Sequence, residues 1–333
     1  MRRIWRPMLL AVLLLAAFAY LNNGGLTAPR LAGPPTLLAH RGIAQRFDMA
    51  GLTNDTCTAA RMLPPRHAYL ENTIASMRAS FEAGADVVEL DIHPTTDGRF
   101  AVFHDWTLDC RTDGRGITRE HSMAELQRLD IGHGYTADGG RSFPFRGQGI
   151  GLMPALDEVL EVFPDRRFLI NIKSDDAAEG ERLAAWLGQL PPAARDRLMV
   201  YGGDRPIATL RAALRDLRTV SRGSLRACLL RYAAYGWTSL VPTACAKMLV
   251  LVPVNIAPWL WGWPGHFLQR MQSVGSHVFV IGPYHGGAFS TGIDTPEDLA
   301  RLPAGYPGGI LTNEIEVIAA ALGLSRAVGG ERR

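Results

Sequence analysis

The run Asp86-Val87-Val88-Glu89-Leu90-Asp91-Ile92 sets two carboxylates two positions apart in an otherwise apolar stretch. Side chains alternate across a strand, so Val88, Leu90 and Ile92 share one face while Glu89 and Asp91 share the other. Turned into a folded interior, two ionised carboxylates are costly unless something positive compensates them. A hard divalent cation held by oxygen ligands is the natural compensation. Turned outward, they are two solvated acids on an edge strand, and this stretch alone leaves both readings open. The following residues favour the interior. Asp97-Gly98 marks a hairpin turn, and a reversal there brings His104 opposite Leu90, flanked by Glu89 and Asp91. A histidine in that position is a candidate acid or base. Two further apolar runs end alike: Leu37-Leu38-Ala39 runs into His40-Arg41-Gly42, and Asn171 and Lys173 stand on the face opposite Phe168, Ile170 and Ile172. Two histidines, an arginine, a lysine and two acids suit an anionic phosphate ester bridged to a metal. Arg41 can grip phosphate oxygens bidentately, and Lys173 can act as a point charge.

Residues so far apart converge only if several strands deliver them to one place, and a TIM barrel gathers its site at the C-terminal ends of its strands. From Thr36 onward, short apolar runs alternate with helix-like stretches, the pattern of a parallel sheet covered by helices. Candidate strands are 36–40, 86–92, 100–104, 167–173, 198–201, 218–221, 248–254, 277–281 and 309–312. That is nine candidates for eight places, so one is surplus or distorted. Helices are expected at 72–83, 123–129, 156–162, 177–190 and 207–217. In the first, Ile74, Met77 and Phe81 recur at helical spacing and Gly84 suits the left-handed position after the helix. The expected fold is a distorted TIM-type (β/α)8 barrel over residues 30–333, with a Gly-rich insertion at 112–153 after the third strand. Residues 1–29 form an N-terminal hydrophobic segment and linker.

In order and spacing, His40-Arg41-Gly42, Glu71-Asn72-Thr73, Glu89-Leu90-Asp91, Thr96-Asp97-Gly98 and His104-Asp105 resemble the glycerophosphodiester phosphodiesterase family. Arg111-Thr112 with Gly114 and Gly116, then Pro154-Ala155-Leu156, look like its later landmarks. The resemblance runs from about Leu37 to Lys173; Gly292-Ile293-Asp294 and the 308–313 segment resemble its closing strand more weakly. It implies a metal-dependent TIM barrel that hydrolyses glycerophosphodiesters to glycerol 3-phosphate and an alcohol. In that reading His40 and His104 share general acid and base work, and Arg41, Lys173 and Glu71 serve the substrate. Glu89, Asp91 and Asn171 take the metal, Mg²⁺ or Ca²⁺.

Two departures bear on that reading. The family places a third acidic ligand where this sequence has Asn171, so the site loses one negative charge. Asn can still coordinate through its carbonyl oxygen, and Asp175 is a nearby stand-in. A long insertion, 43–70, separates the His-Arg-Gly turn from Glu71 and would overhang the barrel mouth. Alternative functions follow: a phospholipase D-like enzyme releasing head groups from lysophospholipids or sphingolipids, or a non-catalytic membrane-tethered protein that binds phosphodiesters. Glycoside hydrolysis would need two carboxylates and leaves Arg41 and Lys173 without a task.

The 333 residues carry 47% hydrophobic and 20% charged side chains, enough for a sizeable core. A net charge of +3 with no basic block gives no nucleic-acid signature. Arg2, Arg3 and Arg6 precede the uncharged stretch 8–21, a positive-inside arrangement that would put the rest of the chain across a membrane. Ala17-Phe18-Ala19 also resembles a signal-peptidase site. The reading is an anchor in a bacterial-type inner membrane with the barrel on the periplasmic side, or a secreted protein if the segment is cut. Cys57, Cys110, Cys228 and Cys245 fit an exported chain, and Cys57–Cys110 with Cys228–Cys245 is one of three possible pairings. Three tryptophans within 258–264 suggest either a buried aromatic loop or a surface that dips into lipid.

Overall fold

The computed structural model describes residues 2–29, 31–53, 56–286 and 291–324, with side chains from Trp5 onward. Arg30, where the linker was expected to meet the barrel, Asn54 and Asp55 of the first insertion, and the side chains of Arg2 and Arg3 lie outside that description.

A 22-residue helix, α1 (Arg2–Asn23), precedes the sheet. The strands are β1 (Thr36–Ala39), β2 (Val87–Pro94), β3 (Phe100–Val102), β4 (Arg167–Ile172), β5 (Leu198–Gly202), β6 (Arg218–Ser221), β7 (Leu249–Pro253), β8 (His277–Ile281) and β9 (Gly309–Thr312). The helices that follow are α2 (Ile74–Ala83), α3 (Met123–Leu126), α4 (Leu156–Val162), α5 (Ala177–Gly188), α6 (Pro192–Arg195), α7 (Asp204–Ala213), α8 (Arg222–Tyr235), α9 (Gly265–Ser273), α10 (Pro296–Leu299) and α11 (Ile315–Ala321).

Eight strands run in the order β6-β5-β4-β2-β1-β9-β8-β7, with parallel pairing at every step, and β3 stands off this path. A single parallel bridge, Thr219 to Met248, joins the two ends, so the barrel is nearly closed. Fold and sequence therefore agree on a (β/α)8 barrel, and the surplus candidate is 100–104. It forms β3, which folds back antiparallel on β2 with Ile92 opposite Val102 and Pro94 opposite Phe100. Continued down the hairpin, this register places His104 level with Leu90, and the Phe103 N–H bonds the Asp91 carbonyl at 3.0 Å.

Strand residues of both parities are buried, as expected for parallel strands covered on both sides. α2 starts where Thr73 caps it, accepting from the Ser76 N–H at 3.2 Å, and stops at Gly84 with φ 118°. The two insertions build a second apolar cluster beside the main core, in which Met62 and Leu70 meet Phe103, Met123, Tyr135 and Phe145. The pairing Cys57–Cys110 with Cys228–Cys245 is present: the first bond ties the 43–70 insertion to the segment just before residue 112, and the second ties α8 to the segment before β7. In the tryptophan-rich loop, Trp263 packs against Phe267 and Tyr306 while Trp259 and Trp261 are exposed.

Candidate active site

The site lies at the C-terminal ends of the strands, and it starts with a turn that ordinary backbone resists. After β1, Arg41 (φ 59°) and Gly42 (φ 77°) are both left-handed, as is Asn72 (φ 60°). At position 42 any side chain would collide with Ser76, its Cβ falling 2.2 Å from the Ser76 oxygen. The turn points the Arg41 backbone N–H inward, where it donates to Glu89 Oε2 at 3.0 Å.

Glu89 and Asp91 are fully buried on the barrel's inner side. Glu89 accepts a 2.6 Å bond from the Tyr201 hydroxyl, and its other oxygen lies 3.8 Å from His40 Nε2. Asp91 accepts from Asn72 Nδ2 at 3.0 Å and Asn171 Nδ2 at 2.8 Å, with Lys173 Nζ and Arg41 Nε each 3.4 Å away. Burial, and then the neighbouring Asp91 charge, push the Glu89 carboxyl up. Burial would raise Asp91 as well, but Lys173, His104 and Arg41 hold it well below the usual carboxylate range.

The two histidines are held from behind by different partners. Asp294 accepts from the Asn313 backbone N–H at 2.7 Å and from its side-chain nitrogen at 2.8 Å. Asn313 therefore turns its amide oxygen to His40 Nδ1, 2.7 Å away. That nitrogen must carry the hydrogen, leaving Nε2 with a free lone pair. Burial, followed by the Arg41 charge, holds His40 down at about 4. His104 Nδ1 lies 2.7 Å from Asp105, and burial followed by Arg41 lowers this histidine too. Behind Asp105, the buried Arg111 binds it at 2.9 Å and Glu71 at 3.0 Å. Glu71 also meets Arg41 Nη1 at 3.2 Å.

The structure thus brings His40, His104, Arg41, Lys173, Glu71, Glu89, Asp91 and Asn171 into one cluster, although Glu71 faces two arginines as an orienting acid. Asp175 stands apart, paired with Arg205 at 3.0 Å. Several members were not assigned from sequence. Tyr201 ends a strand that looked purely apolar, and Asn313 and Asp294 come from the closing segment. Arg111 was seen only as a landmark. His93 follows Asp91 on the same side of β2, buried, and its Nε2 meets no hydrogen-bond partner among the described residues. Alternation beyond Ile92 could have found His93, since β2 runs on to Pro94.

As a metal centre the donor set is right in kind and short in charge. Two carboxylates and an amide oxygen are hard donors suited to Mg²⁺ or Ca²⁺. Among the described residues no group of three or more His, Cys, Asp or Glu side chains is arranged to hold an ion. Asn171 faces Asp91 with its nitrogen, and Arg41 and Lys173 already supply positive charge.

The strand ends of the (β/α)8 barrel thus gather two histidines, two acids and two cations, a set that suits an anionic phosphate ester. Residues 40–186 match the glycerophosphoryl diester phosphodiesterase family. A glycerophosphodiester phosphodiesterase of Caldanaerobacter subterraneus is 39% identical over 103 residues, which are 31% of this chain and 39% of that protein. The chain thus spans about two fifths of the length of the curated relatives it matches. A glycerophosphodiester phosphodiesterase of Agrobacterium tumefaciens has a similar fold, with a TM-score of 0.56 and 21% identity over 86% of this chain and 98% of that one. An Oleispira antarctica phosphodiesterase, solved with the product sn-glycerol-3-phosphate, gives a TM-score of 0.53 and 19% identity over 87% and 97% of the two chains. Over residues 40–186 the chain is thus similar in sequence to the glycerophosphoryl diester phosphodiesterase family, and over most of its length it is similar in fold to solved members.

Proposed function

We propose that this protein hydrolyses glycerophosphodiesters to glycerol 3-phosphate and an alcohol, outside the cytoplasm and tethered by α1. The observation that carries the reading is the pair of histidines, each held by a partner of different character, on either side of a cationic and acidic cluster. Arg41 and Lys173 would bind the phosphate oxygens. His40 offers the free Nε2 lone pair that removes a proton from the attacking water, whose oxygen forms the new bond to phosphorus as the bond to the alcohol oxygen breaks. His104, with a carboxylate behind its Nδ1, is the better holder of a proton and would deliver it to the departing alcohol oxygen through Nε2. Glu71 and Arg111 keep Asp105 and Arg41 in place. Glu89, Asp91 and the Asn171 amide oxygen would hold Mg²⁺ or Ca²⁺, which when bound neutralises phosphate charge.

The relatives' names and the product bound to the Oleispira antarctica enzyme support glycerol 3-phosphate as the product. Two disulfides suit an oxidising compartment, and Trp5–Asn23 is apolar and exposed enough to cross a membrane, with a mean hydropathy of 1.5. A second reading, release of lysolipid or sphingolipid head groups, is favoured by the exposed Trp259 and Trp261. The deciding assay is glycerol 3-phosphate release from glycerophosphocholine by the full chain in detergent, with Mg²⁺, Ca²⁺ or EDTA. Release that EDTA abolishes supports the reading, and no release with either ion overturns it.

A further inference from the structure

We propose that the α8 face, the turn after it and Trp261 rest on the outer bilayer surface, and that α1 locks the barrel there with its mouth turned away from lipid. The substrate class is then water-soluble diesters rather than bilayer lipids. This rests on reading α1 as a membrane span.

The end of α1 is fastened to the barrel. Arg270, buried on α9, donates to the Asn22 carbonyl (2.7 Å), the Asn23 side-chain oxygen (2.8 Å), the Gly236 carbonyl (2.9 Å), the Tyr232 hydroxyl (3.0 Å) and the Ser239 hydroxyl (2.6 Å). The Asn22 and Asn23 amides donate in turn to the Trp237 carbonyl at 2.8 and 2.9 Å. An arginine with so many bonds to both elements fixes the helix against the domain. A span fastened in this way sets which face of the domain meets the membrane.

Phe18 meets the Trp237 ring edge-on, with centroids 6.2 Å apart. Phe18 precedes Asn22 and Asn23 by little more than one turn, about 7 Å along a helix rising 1.5 Å per residue. Trp237 therefore sits at the depth where a span leaves hydrocarbon, the level that tryptophan favours. Around it Leu230, Tyr235, Leu240 and Trp261 are exposed, with Ala233 and Ala234 exposed on α8 between them. Both indole N–H groups are already spent on backbone: Trp237 bonds the Ala234 carbonyl at 3.1 Å and Trp261 the Ala233 carbonyl at 2.8 Å. Their rings can therefore enter an apolar medium without stranding a donor. Arg226 and Arg231, exposed on the same helix, suit anionic head groups.

This seat lies at the opposite end of the barrel from the site. The turn at 236–239 follows the C-terminal end of α8, which points to the N-terminal ends of the strands because the helices run back against them. Cys245, shortly before β7, and Ser276, directly before β8, are linked by a bond from the Ser276 hydroxyl to the Cys245 carbonyl. Trp263 packs on Tyr306 just before β9, with centroids 5.4 Å apart. His40, Lys173 and Asn313 follow the ends of β1, β4 and β9 on the far face, and the antiparallel β3 brings His104 level with Leu90 beside them.

The test reconstitutes the full chain in phosphatidylcholine–phosphatidylglycerol vesicles, with and without lipids brominated near the head group. Carbonate washing examines the span first, and release from the vesicles would overturn the α1 reading itself. With the protein retained, tryptophan emission should be quenched by the brominated lipids. Trp237→Phe/Trp261→Phe should lose at least half of that quenching while melting like the parent. Equal quenching in parent and double variant would overturn the seat and leave the anchor standing. In the same vesicles, glycerophosphocholine should be cleaved at least tenfold faster than embedded lysophosphatidylcholine; comparable rates would overturn the outward mouth. Leu230→Glu should leave mass in detergent unchanged. A shift from dimer to monomer would mean that the face meets a second copy instead of lipid.

Discussion

Asn171 donates its amide nitrogen to Asp91 across 2.8 Å, at the strand position where a third acid would complete a cation site. In that orientation the residue serves as a neutral support for a buried carboxylate. Replacing it with Glu adds the missing charge at a cost, because a third acid then faces Asp91. Asn171→Glu should bind Mg²⁺ or Ca²⁺ at least roughly tenfold more tightly, since affinity follows ligand charge. Its metal-free form should melt at a lower temperature than the parent, through like-charge repulsion. Calorimetric titration and melting with and without EDTA check both, and unchanged affinity would place residue 171 away from the ion.

His40→Ala or His104→Ala should lower kcat by about 10²–10⁴, the usual contribution of a positioned acid or base, with little change in melting temperature. Asn313→Ala should fall between these variants and the parent, because it frees the His40 ring without removing it. Turnover of Asn313→Ala equal to the parent's would remove the orienting role of the closing strand.

Acid should lower rate through His40, and stability through every histidine that burial holds below its ordinary value, His277 among them. With His40 held near 4 by burial and then Arg41, its Nε2 stays unprotonated across the neutral range. The acid limb of kcat/KM should therefore fall well below pH 6.5, and a limb at or above that value would exclude His40 as the base. His277, far from the site, is lowered from 6.5 to about 4 by burial, followed by Arg218 and Arg167. A folded-state value below the unfolded one gives stability that is complete above pH 6.5 and lost as pH falls through 4. His277→Asn should flatten the drop in melting temperature between pH 7 and 4, and an unchanged slope would refute this.

Arg111 is the buried cation between Asp105 and Glu71. Removing it as Arg111→Met leaves two acids without their partner and should cost roughly 3–5 kcal/mol, the range for breaking a buried pair from one side. A loss below 1 kcal/mol by denaturant unfolding would show that water replaces the guanidinium.

Much of this site was legible because strand alternation is a strict rule. It placed Glu89 and Asp91 inward, and the Asp97-Gly98 turn gave the register that sets His104 beside them. The metal was inferred because two inward acids need positive charge. Arg41 and Lys173 now stand close enough to supply part of it, a distance that no sequence pattern encodes. His93 was missed because the hairpin extends β2 past the last apolar residue, and Tyr201 because an aromatic at a strand end reads as core. Arg270 gave no local signal, since an arginine in an amphipathic helix is ordinarily a solvated charge. Its role appears only when α1, far away in sequence, arrives beside it.

The bond between His40 and Asn313 spans 273 residues and crosses the seam where the first strand meets the last. In its proposed role as base, His40 is therefore unfinished until the last strand of the chain is in place. Its ring finds its working tautomer once β9 has docked beside β1 and Asp294 has oriented Asn313. In that reading, catalytic competence would double as a report that the barrel is complete. A chain whose β9 has not yet folded keeps its histidine but lacks the amide that fixes the ring, so the proposed hydrolysis would be confined to molecules that have finished folding.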